Sequence, residues 1–169
     1  MGWDDIQESN GESADYVKIE SGKMARVHLL DEEPFSFYQH RKQGEKKPVR
    51  CKVVNCAYCN NTEYDKKRRF AINVYNLEAK KVQILEQGPQ VFGQIKTIWE
   101  AYEKNLSTID LTISRKGDGL NTEYSVVPVP TKFKPEMMNG TQKYNVPKHY
   151  GVETTGEAVQ STVDEEPPF

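Results

Sequence analysis

The residues best suited to chemistry in this chain are three cysteines and one histidine that lie close together in the sequence. Cys51, Cys56 and Cys59 are the only cysteines among the 169 residues, and His40 precedes them by 11 positions. Three thiolates and one imidazole are a common ligand set for tetrahedral zinc, and a C-x-x-C turn directs two sulfurs at one ion. The spacing therefore predicts a zinc site made of His40, Cys51, Cys56 and Cys59.

The sequence leaves other interpretations of these residues open. The cysteines would also fit as small buried apolar side chains, or two could pair and leave one free. An odd number argues against a disulfide framework, and no βαβ pattern surrounds the C-x-x-C motif as a redox site would require. His28 is a rival fourth ligand, but it lies in an alternating segment, where a histidine is more often only part of a strand.

A site with four protein ligands has no open position for substrate, so the predicted zinc is structural. The sequence contains neither a G-x-x-x-x-G-K-S/T phosphate loop nor a G-x-S-x-G elbow, and its three histidines are scattered. We therefore expect a protein that is not an enzyme.

Charge is distributed unevenly along the chain. Ten of the 25 acidic residues lie in residues 1–15 and 151–169, which contain no lysine or arginine. Residues 16–150 hold all 23 basic residues and carry a formal charge of about +8. A basic body between acidic ends favours a surface that binds a polyanion, although solvated ends around an ordinary surface would give the same count.

The sequence gives no sign of export or of a membrane span. Residues 1–5 are acidic where a secretory signal would be basic and then apolar, so we expect no signal peptide. No apolar run approaches the ~20 residues that a spanning helix needs. Thiolates kept for a metal suit a reducing compartment, so we expect a soluble, cytoplasmic protein.

The hydrophobic pattern predicts an all-β chain with one main helix. Apolar and polar residues alternate over 24–30, 35–40, 68–77, 81–87, 109–114 and 124–127, as in half-buried strands. After Gly88-Pro89, an apolar stripe predicts a helix of about four turns that ends near Asn105. Pro128 and Pro130 are expected to end the sheet at its edge. Such a pattern fits a small β-barrel better than a parallel α/β sheet.

The same pattern divides the chain into three parts. Residues 1–15 are expected to be an acidic, flexible N-terminus, and residues 151–169 an acidic, disordered tail. Residues 16–150 form the single domain, with the zinc subdomain at about 38–66. One face of strand 81–87 is expected to be solvated, and residues 131–150 have no clear pattern.

Basic residues next to aromatic ones suggest binding of single-stranded nucleic acid. Lysine and arginine neutralise phosphates, and aromatic rings stack on unpaired bases with about 1–3 kcal/mol each. Phe37 would serve equally well in the core. The candidate contacts are Arg26, Phe37, Tyr38, Tyr64, Lys66, Lys67, Arg68, Arg69, Tyr75, Arg115 and Lys116.

The end of the chain has the features of a protein-binding peptide. It is acidic, then rich in proline, and finishes in a phenylalanine that a partner pocket could take together with its carboxylate. The candidate partner-binding residues are Asp164, Glu165, Glu166, Pro167, Pro168 and Phe169.

Two parts of the sequence resemble known families of single-stranded DNA-binding proteins. The acidic end that closes in Pro-Phe resembles the tails of the bacterial proteins, which recruit replication and repair partners. The order His40, Cys51, Cys56-x-x-Cys59 followed by a basic strand is similar to the zinc-containing proteins of T-even and related tailed phages, as are residues 68–74, 85–89 and 110–116. The gaps between the ligands are shorter than in the T-even pattern, and the acidic N-terminus lacks a basic arm for cooperative self-association.

The resemblance implies an OB-fold-like five-stranded barrel with a zinc subdomain inserted between strands. It further implies sequence-tolerant binding of single-stranded DNA for phage replication, recombination or repair, in the cytoplasm of an infected bacterial host. The acidic tail would compete with DNA for the basic groove and recruit partner proteins. The alternatives are a zinc-stabilised adaptor or a duplex-binding regulator that acts through its tail, although no helix is both basic and placed like a recognition helix.

Overall fold

The computed structural model describes residues 14–42, 44, 48–52 and 56–150. The predictions for residues 1–13 and for the tail 151–169 lie outside the described residues. Within the described residues the chain forms β1 (Met24–Leu29), β2 (Phe35–Lys42), β3 (Val49–Arg50), β4 (Tyr64–Asn76), β5 (Lys81–Gln87), α1 (Pro89–Ala101), β6 (Ile109–Lys116), β7 (Glu123–Pro130) and the short α2 (Val146–His149). A mostly β chain with one main helix is thus confirmed.

The strands form one antiparallel sheet in the order β3-β2-β4-β1-β6-β7, with β5 paired to β4. The long strand β4 is the centre of this sheet. Phe70 and Ala71 pair with β2 and also with β5, so these two neighbours lie on opposite edges of β4. Further along, Val74–Asn76 pair with β1, which continues the sheet towards β6 and β7.

The main core lies on one face of β4, as the alternating pattern predicts. Phe70, Ile72 and Val74 are at most 2% exposed and share that face. The apolar side of α1 covers them, with the ring centroids of Phe70 and Phe92 5.3 Å apart. Full burial of each such side chain contributes about 1.5–3 kcal/mol, so this cluster is the main stabilising element of the domain.

The opposite face of β4 and β5 is covered as well, which corrects the prediction of a solvated face. A second apolar cluster lies there and contains Ala71, Ile84, Val146 and Tyr150. Asn73 is 2% exposed between the layers and exchanges hydrogen bonds with the backbone of Tyr144. The covering segment 144–150 has no sequence period, because only a few of its side chains make these contacts.

Two predicted boundaries also differ from the structure. The helix α1 ends at Ala101 rather than near Asn105, since Glu103 and Lys104 have left-handed φ values of 55° and 66°. Pro128 and Pro130 lie within β7 rather than after the sheet. Strand β7 is the last strand in the sheet order, and an edge strand tolerates proline because one of its sides needs no hydrogen-bond donors.

The N-terminal boundary of the packed domain includes Asp15, which the sequence analysis placed in the flexible segment. Its carboxylate accepts hydrogen bonds from Lys81 Nζ at 2.6 Å and from Gln83 Nε2 at 3.1 Å. These contacts lower the pKa of Asp15, the bond from Lys81 most strongly. Asp15 therefore fastens the start of the described chain to β5.

Candidate metal centre and nucleic-acid interface

The structure brings the four predicted metal ligands together. Their ligand atoms all lie within 4.8 Å of one another. His40 Nε2 is 3.5 Å from Cys56 Sγ and 3.8 Å from Cys59 Sγ, and the sulfurs of Cys51 and Cys59 are 3.5 Å apart. A tetrahedral site with metal–sulfur bonds of about 2.3 Å has S–S edges of about 3.8 Å, so the cluster has dimensions that could hold a metal ion.

Strand pairing positions two of these ligands. His40 lies near the end of β2, where it is 1% exposed, and its Nδ1 is 2.9 Å from the carbonyl oxygen of Asp65 on β4. A proton on Nδ1 that is donated to this carbonyl leaves Nε2 to face the sulfurs, which is the usual arrangement of a histidine that binds a metal ion. The N–H of Cys51 donates to Tyr38 O at 2.8 Å and holds Cys51 beside β2.

The other two ligands lie on a tight turn. The N–H of Cys59 donates to Cys56 O at 3.3 Å, so both sulfurs lie on the same side of the turn. Tyr58 lies between them in sequence and packs against Tyr64 at the start of β4, with ring centroids 4.7 Å apart. Tyr64, a predicted DNA contact, is therefore part of the wall around the metal ligands.

None of the three cysteines is part of a disulfide, and the thiols of Cys56 and Cys59 differ in acidity. The backbone N–H of Lys52 lowers the pKa of the Cys56 thiol to about 6, so this group is a thiolate at neutral pH. The hydrogen bond with Cys51 raises the pKa of Cys59 to about 11. Because neighbouring thiolates repel one another, a cation among them would allow all three to ionise and bind it.

His28, the rival ligand, lies in a different part of the molecule and has other partners. It is 7% exposed on β1, and its Nδ1 is 3.0 Å from Asp110 Oδ1. Its ring stacks on Phe133 with centroids 4.4 Å apart. His40, and not His28, therefore lies in the cluster of side chains that could hold a metal ion.

The basic run 66–69 lies within β4 rather than before it. Since side chains alternate along a strand, Lys66 and Arg68 point to one face and Lys67 and Arg69 to the other. On the first face, Lys66 Nζ is 4.7 Å and the Arg68 guanidinium carbon 5.7 Å from the ring centroid of Tyr38 on β2. These cation–π contacts form a basic and aromatic strip, in which Lys66 is exposed and Tyr38 partly exposed.

Arg69 and Arg115 come together in a cleft of about 570 Å³. Arg69 donates to Glu86 Oε2 at 3.2 Å, and Arg115 donates to Ile19 O at 3.0 Å. Their Nε atoms are buried without a hydrogen-bond partner among the described residues. The cleft is lined by Arg41, Arg69, Gln87, Gly88, Pro89, Gln90, Val91, Arg115, Gly119, Thr122 and Tyr124.

Several residues of this cleft were not predicted from the sequence. Arg41 was not singled out, although it follows His40 directly on β2. Gly88 is the N-cap of α1 and Pro89 its first residue, and the backbone N–H groups at a helix start favour anions. The sequence does contain Arg41 and the start of a helix at Pro89. It does not show that they share a cleft with Arg69 and Arg115, because the cleft forms only when distant strands pair.

Other predicted DNA contacts have structural partners instead. Tyr75 is 5% exposed and packs against Phe133, so its ring has no face for a base. Arg26 donates to Asp110 Oδ2 at 3.2 Å and to Pro130 O at 2.7 Å. We therefore leave Tyr75 and Arg26 out of the candidate surface. Phe37 is half-buried and stacks on Tyr150 at 4.5 Å.

The remaining predicted contacts lie at the surface. Lys67 is exposed, with Nζ 3.8 Å from Asp65 Oδ2, and Lys116 is exposed at the end of β6. Both side chains can contact a phosphate without breaking a contact in the core. The predicted partner-binding residues Asp164–Phe169 lie outside the described range.

Comparison of the chain with protein-family models, with curated proteins and with solved structures found no match. Of the helices in the described parts of the chain, none has the length and apolar character that a membrane crossing requires.

Proposed function

We propose that this chain is a non-catalytic single-stranded DNA-binding protein with a structural zinc ion. The observation that carries the proposal is the position of the arginine cleft. It lies where Arg41 of β2, Arg69 of β4 and Arg115 of β6 come together, and its lining also contains Gly119 and Thr122 of the turn between β6 and β7 and the ring of Tyr124. A strand lying across this surface would meet cations for its phosphates and rings for its bases.

The strand order supports an OB-fold-like barrel. If β1 and β2 are taken as one strand interrupted at 31–34, and the two-residue β3 as part of the metal excursion, five strands remain, with α1 between the third and the fourth. Their order is that of a Greek-key barrel, in which the face of the second and third strands and the loops 1–2 and 4–5 bind oligonucleotides. In this chain those parts are β4, β5, the metal excursion and the turn 117–122.

Zinc is the metal that we assign to the cluster. Three soft thiolates and one imidazole favour zinc over magnesium or calcium, which prefer oxygen ligands. The four protein ligands fill a tetrahedron, so bound zinc would hold the excursion between β2 and β4 and supply no catalytic water. The hydrogen bond from His40 to Asp65 O supports this role, because it fixes the ring that would bind the ion.

The sequence resemblance supports the biological part of the proposal. Zinc-containing phage proteins and bacterial proteins with Pro-Phe ends act in DNA replication, recombination and repair. By analogy, we place this chain on phage single strands in the cytoplasm of an infected bacterium. Its acidic tail, residues 151–169, would recruit partner proteins and compete with DNA for the cleft.

The test is fluorescence anisotropy with a labelled single-stranded oligonucleotide and its duplex, at low and high salt. We expect preferential binding of the single strand, with an affinity that falls steeply as salt rises. Arg41→Gln should weaken binding and reduce the salt slope by roughly one, because it removes one phosphate contact. Lys104→Gln is the matched control, since it removes one charge beyond the far end of α1, about 20 Å from the cleft.

Two results would contradict the proposal. Equal affinity for single-stranded and duplex DNA would refute the proposal that the protein prefers single strands. Absence of binding in every condition would leave the tail as the functional element and favour the zinc-stabilised adaptor. Metal analysis of the purified chain should find one zinc per chain, and an excursion that stays folded without any metal would refute the structural role of zinc.

A further inference from the structure

The ring of Tyr150 lies in an aromatic site on the face of β2 that also carries Phe35 and Phe37. Its centroid is 4.5 Å from that of Phe37 and 5.8 Å from that of Phe35, and both pairs are stacked. The guanidinium carbon of Arg50 lies 5.3 Å from the Tyr150 centroid. Tyr150 is 6% exposed in this position, so it fills the site almost completely.

These surroundings are those that a protein offers to an unpaired base. A flat ring is stacked on an aromatic side chain, and a cation lies over it to meet a nearby phosphate. The site also adjoins the cleft, because Phe37 on β2 pairs directly with Arg69 on β4. A strand that enters the cleft would therefore reach the aromatic site within one strand spacing, about 4.8 Å.

Glu86 links the aromatic site to the cleft. It accepts a hydrogen bond from Tyr150 Oη at 2.6 Å with one carboxylate oxygen and one from Arg69 Nη2 at 3.2 Å with the other. Burial and this bond raise the pKa of Tyr150, so its hydroxyl stays protonated and remains a donor. A phosphate that binds Arg69 would replace Glu86 as its partner. Glu86 would then lose one of the two contacts that position it, which would weaken its hydrogen bond with Tyr150.

That segment is attached to the sheet by side-chain contacts and not by strand pairing. It consists of the four-residue α2 and its flanks, fastened by Tyr144 to Asn73 and by His149 Nε2 to Tyr16 Oη at 2.7 Å. Immediately after it, residues 151–169 carry five acidic residues and no basic one. A short segment of this kind opens at low cost compared with the strands beneath it.

We propose that Phe35 and Phe37 form a base-binding site that Tyr150 occupies in the free protein and that an unpaired DNA base takes on binding. Residues 144–150 are then a built-in competitor, separate from the charge of the tail. The inference rests on the proposed function, because it names the site at which a base of the single strand is held. Free protein binds DNA only in the fraction of molecules whose segment is open, which lowers the apparent affinity.

The test uses the full chain, so that the tail is unchanged in every variant. Tyr150→Ala should bind a labelled oligothymidylate about fivefold or more tightly than wild type, because the competitor is gone. Tyr150→Phe keeps the ring and loses only the bond to Glu86, so a smaller gain is expected. Phe37→Ala should weaken binding and should abolish the gain when it is combined with Tyr150→Ala. Tyr102→Ala, which removes a 40% exposed ring on another element, is the control and should change nothing.

The possible outcomes separate this inference from the proposed function. If wild type binds single strands but Tyr150→Ala binds equally or more weakly, the competitor is refuted and the binding function stands. If no variant binds, the proposed function itself fails. Circular dichroism and zinc content establish whether each variant is folded.

A second measurement needs no substitution and decides the matter if Tyr150→Ala fails to fold. Lys148 lies in the segment and is exposed, whereas its backbone is held in α2. Oligothymidylate should accelerate trypsin cleavage after Lys148 relative to cleavage after Lys80 in the β4–β5 turn. Protection or an unchanged ratio would overturn the inference.

Discussion

The excursion between β2 and β4 and the sheet that carries it are held by different forces. The sheet is held by apolar side chains that pack against the helix covering it. Phe70 of β4 and Phe92 of α1 contact each other, and both are buried. In the excursion, the buried side chains of the described residues are those of Cys51 and Cys56, whereas Cys59 and residues such as Lys52, Asn60 and Glu63 are exposed. A segment that cannot form a core needs another source of folding free energy, and a metal ion bound by the four side chains would provide one.

Removal of the metal should have the largest effect, and only on the excursion. A structural zinc contributes about 10–16 kcal/mol of apparent binding free energy, which a chelator or Cys56→Ser removes. We expect the amides of residues 49–52 and 56–63 to lose their protection from hydrogen exchange while those of β4, β5 and α1 keep theirs. Loss of protection throughout the sheet would contradict the separation of the two regions.

A substitution in the core should produce the converse result. Phe92→Ala removes a fully buried ring that packs on Phe70 and should lower the free energy of unfolding by about 3–5 kcal/mol. Chemical denaturation measures this loss. Metal content of the folded fraction should stay at the wild-type value, and a parallel loss of metal would show that the two regions are coupled.

The buried polar network of the sheet should respond to acid. Burial alone would raise the pKa of Asp110, but hydrogen bonds from Thr131, Lys132 N and His28 outweigh it and the pKa is lowered. A lowered pKa means that the carboxylate stabilises the fold above its unfolded pKa of about 3.9 and that this contribution is lost as pH falls through the folded pKa. Asp110→Asn should cost about 1–3 kcal/mol at pH 7.

The measurement for Asp110 is the free energy of unfolding between pH 7 and pH 2. Wild type should lose stability below about pH 4, and Asp110→Asn should lose less over the same window. Arg26 and His28 face this carboxylate and would be left with fewer partners in the variant. An identical pH profile for both chains would show that Asp110 is not the titrating group.

The smallest effect should come from the surface ion pair of the excursion. Lys42 Nζ lies 3.1 Å from Glu63 Oε1, but the two side chains are 43% and 63% exposed. Solvent and salt screen such a pair, so Glu63→Gln should change the free energy of unfolding by no more than about 0.5 kcal/mol. Loss of the metal from this variant would mean that the ion pair, rather than the four ligands, shapes the excursion.

The sequence predicted those features that depend on local spacing. The alternation in β4 is local and predicted the correct core face, with Phe70, Ile72 and Val74. The stripe in α1 is local too, and it predicted the buried side of the helix, with Val91, Phe92 and Ile95. The metal ligands were predictable for a chemical reason, because few roles suit three cysteines and a histidine within 20 positions. The choice of His40 over His28 depended on the same strand pattern.

The features that sequence could not predict depend on contacts between distant residues. Tyr75 was expected to face solvent, but Phe133 covers it from a segment without periodicity. Arg26 was expected to meet phosphate, but its partner is Asp110, 84 positions away. The cleft was missed for the same reason, since Arg41, Arg69 and Arg115 meet only after three strands and a turn have been arranged.

The prolines of β7 have a consequence for the protein at high concentration. Exposed strand edges are templates for other chains, and they start aggregation unless they are blunted. Pro128 and Pro130 occupy alternate positions of the last strand in the sheet order, so the row of N–H donors along that strand is interrupted twice. Copies that bind close together on one DNA strand would therefore be discouraged from joining their sheets into a fibril.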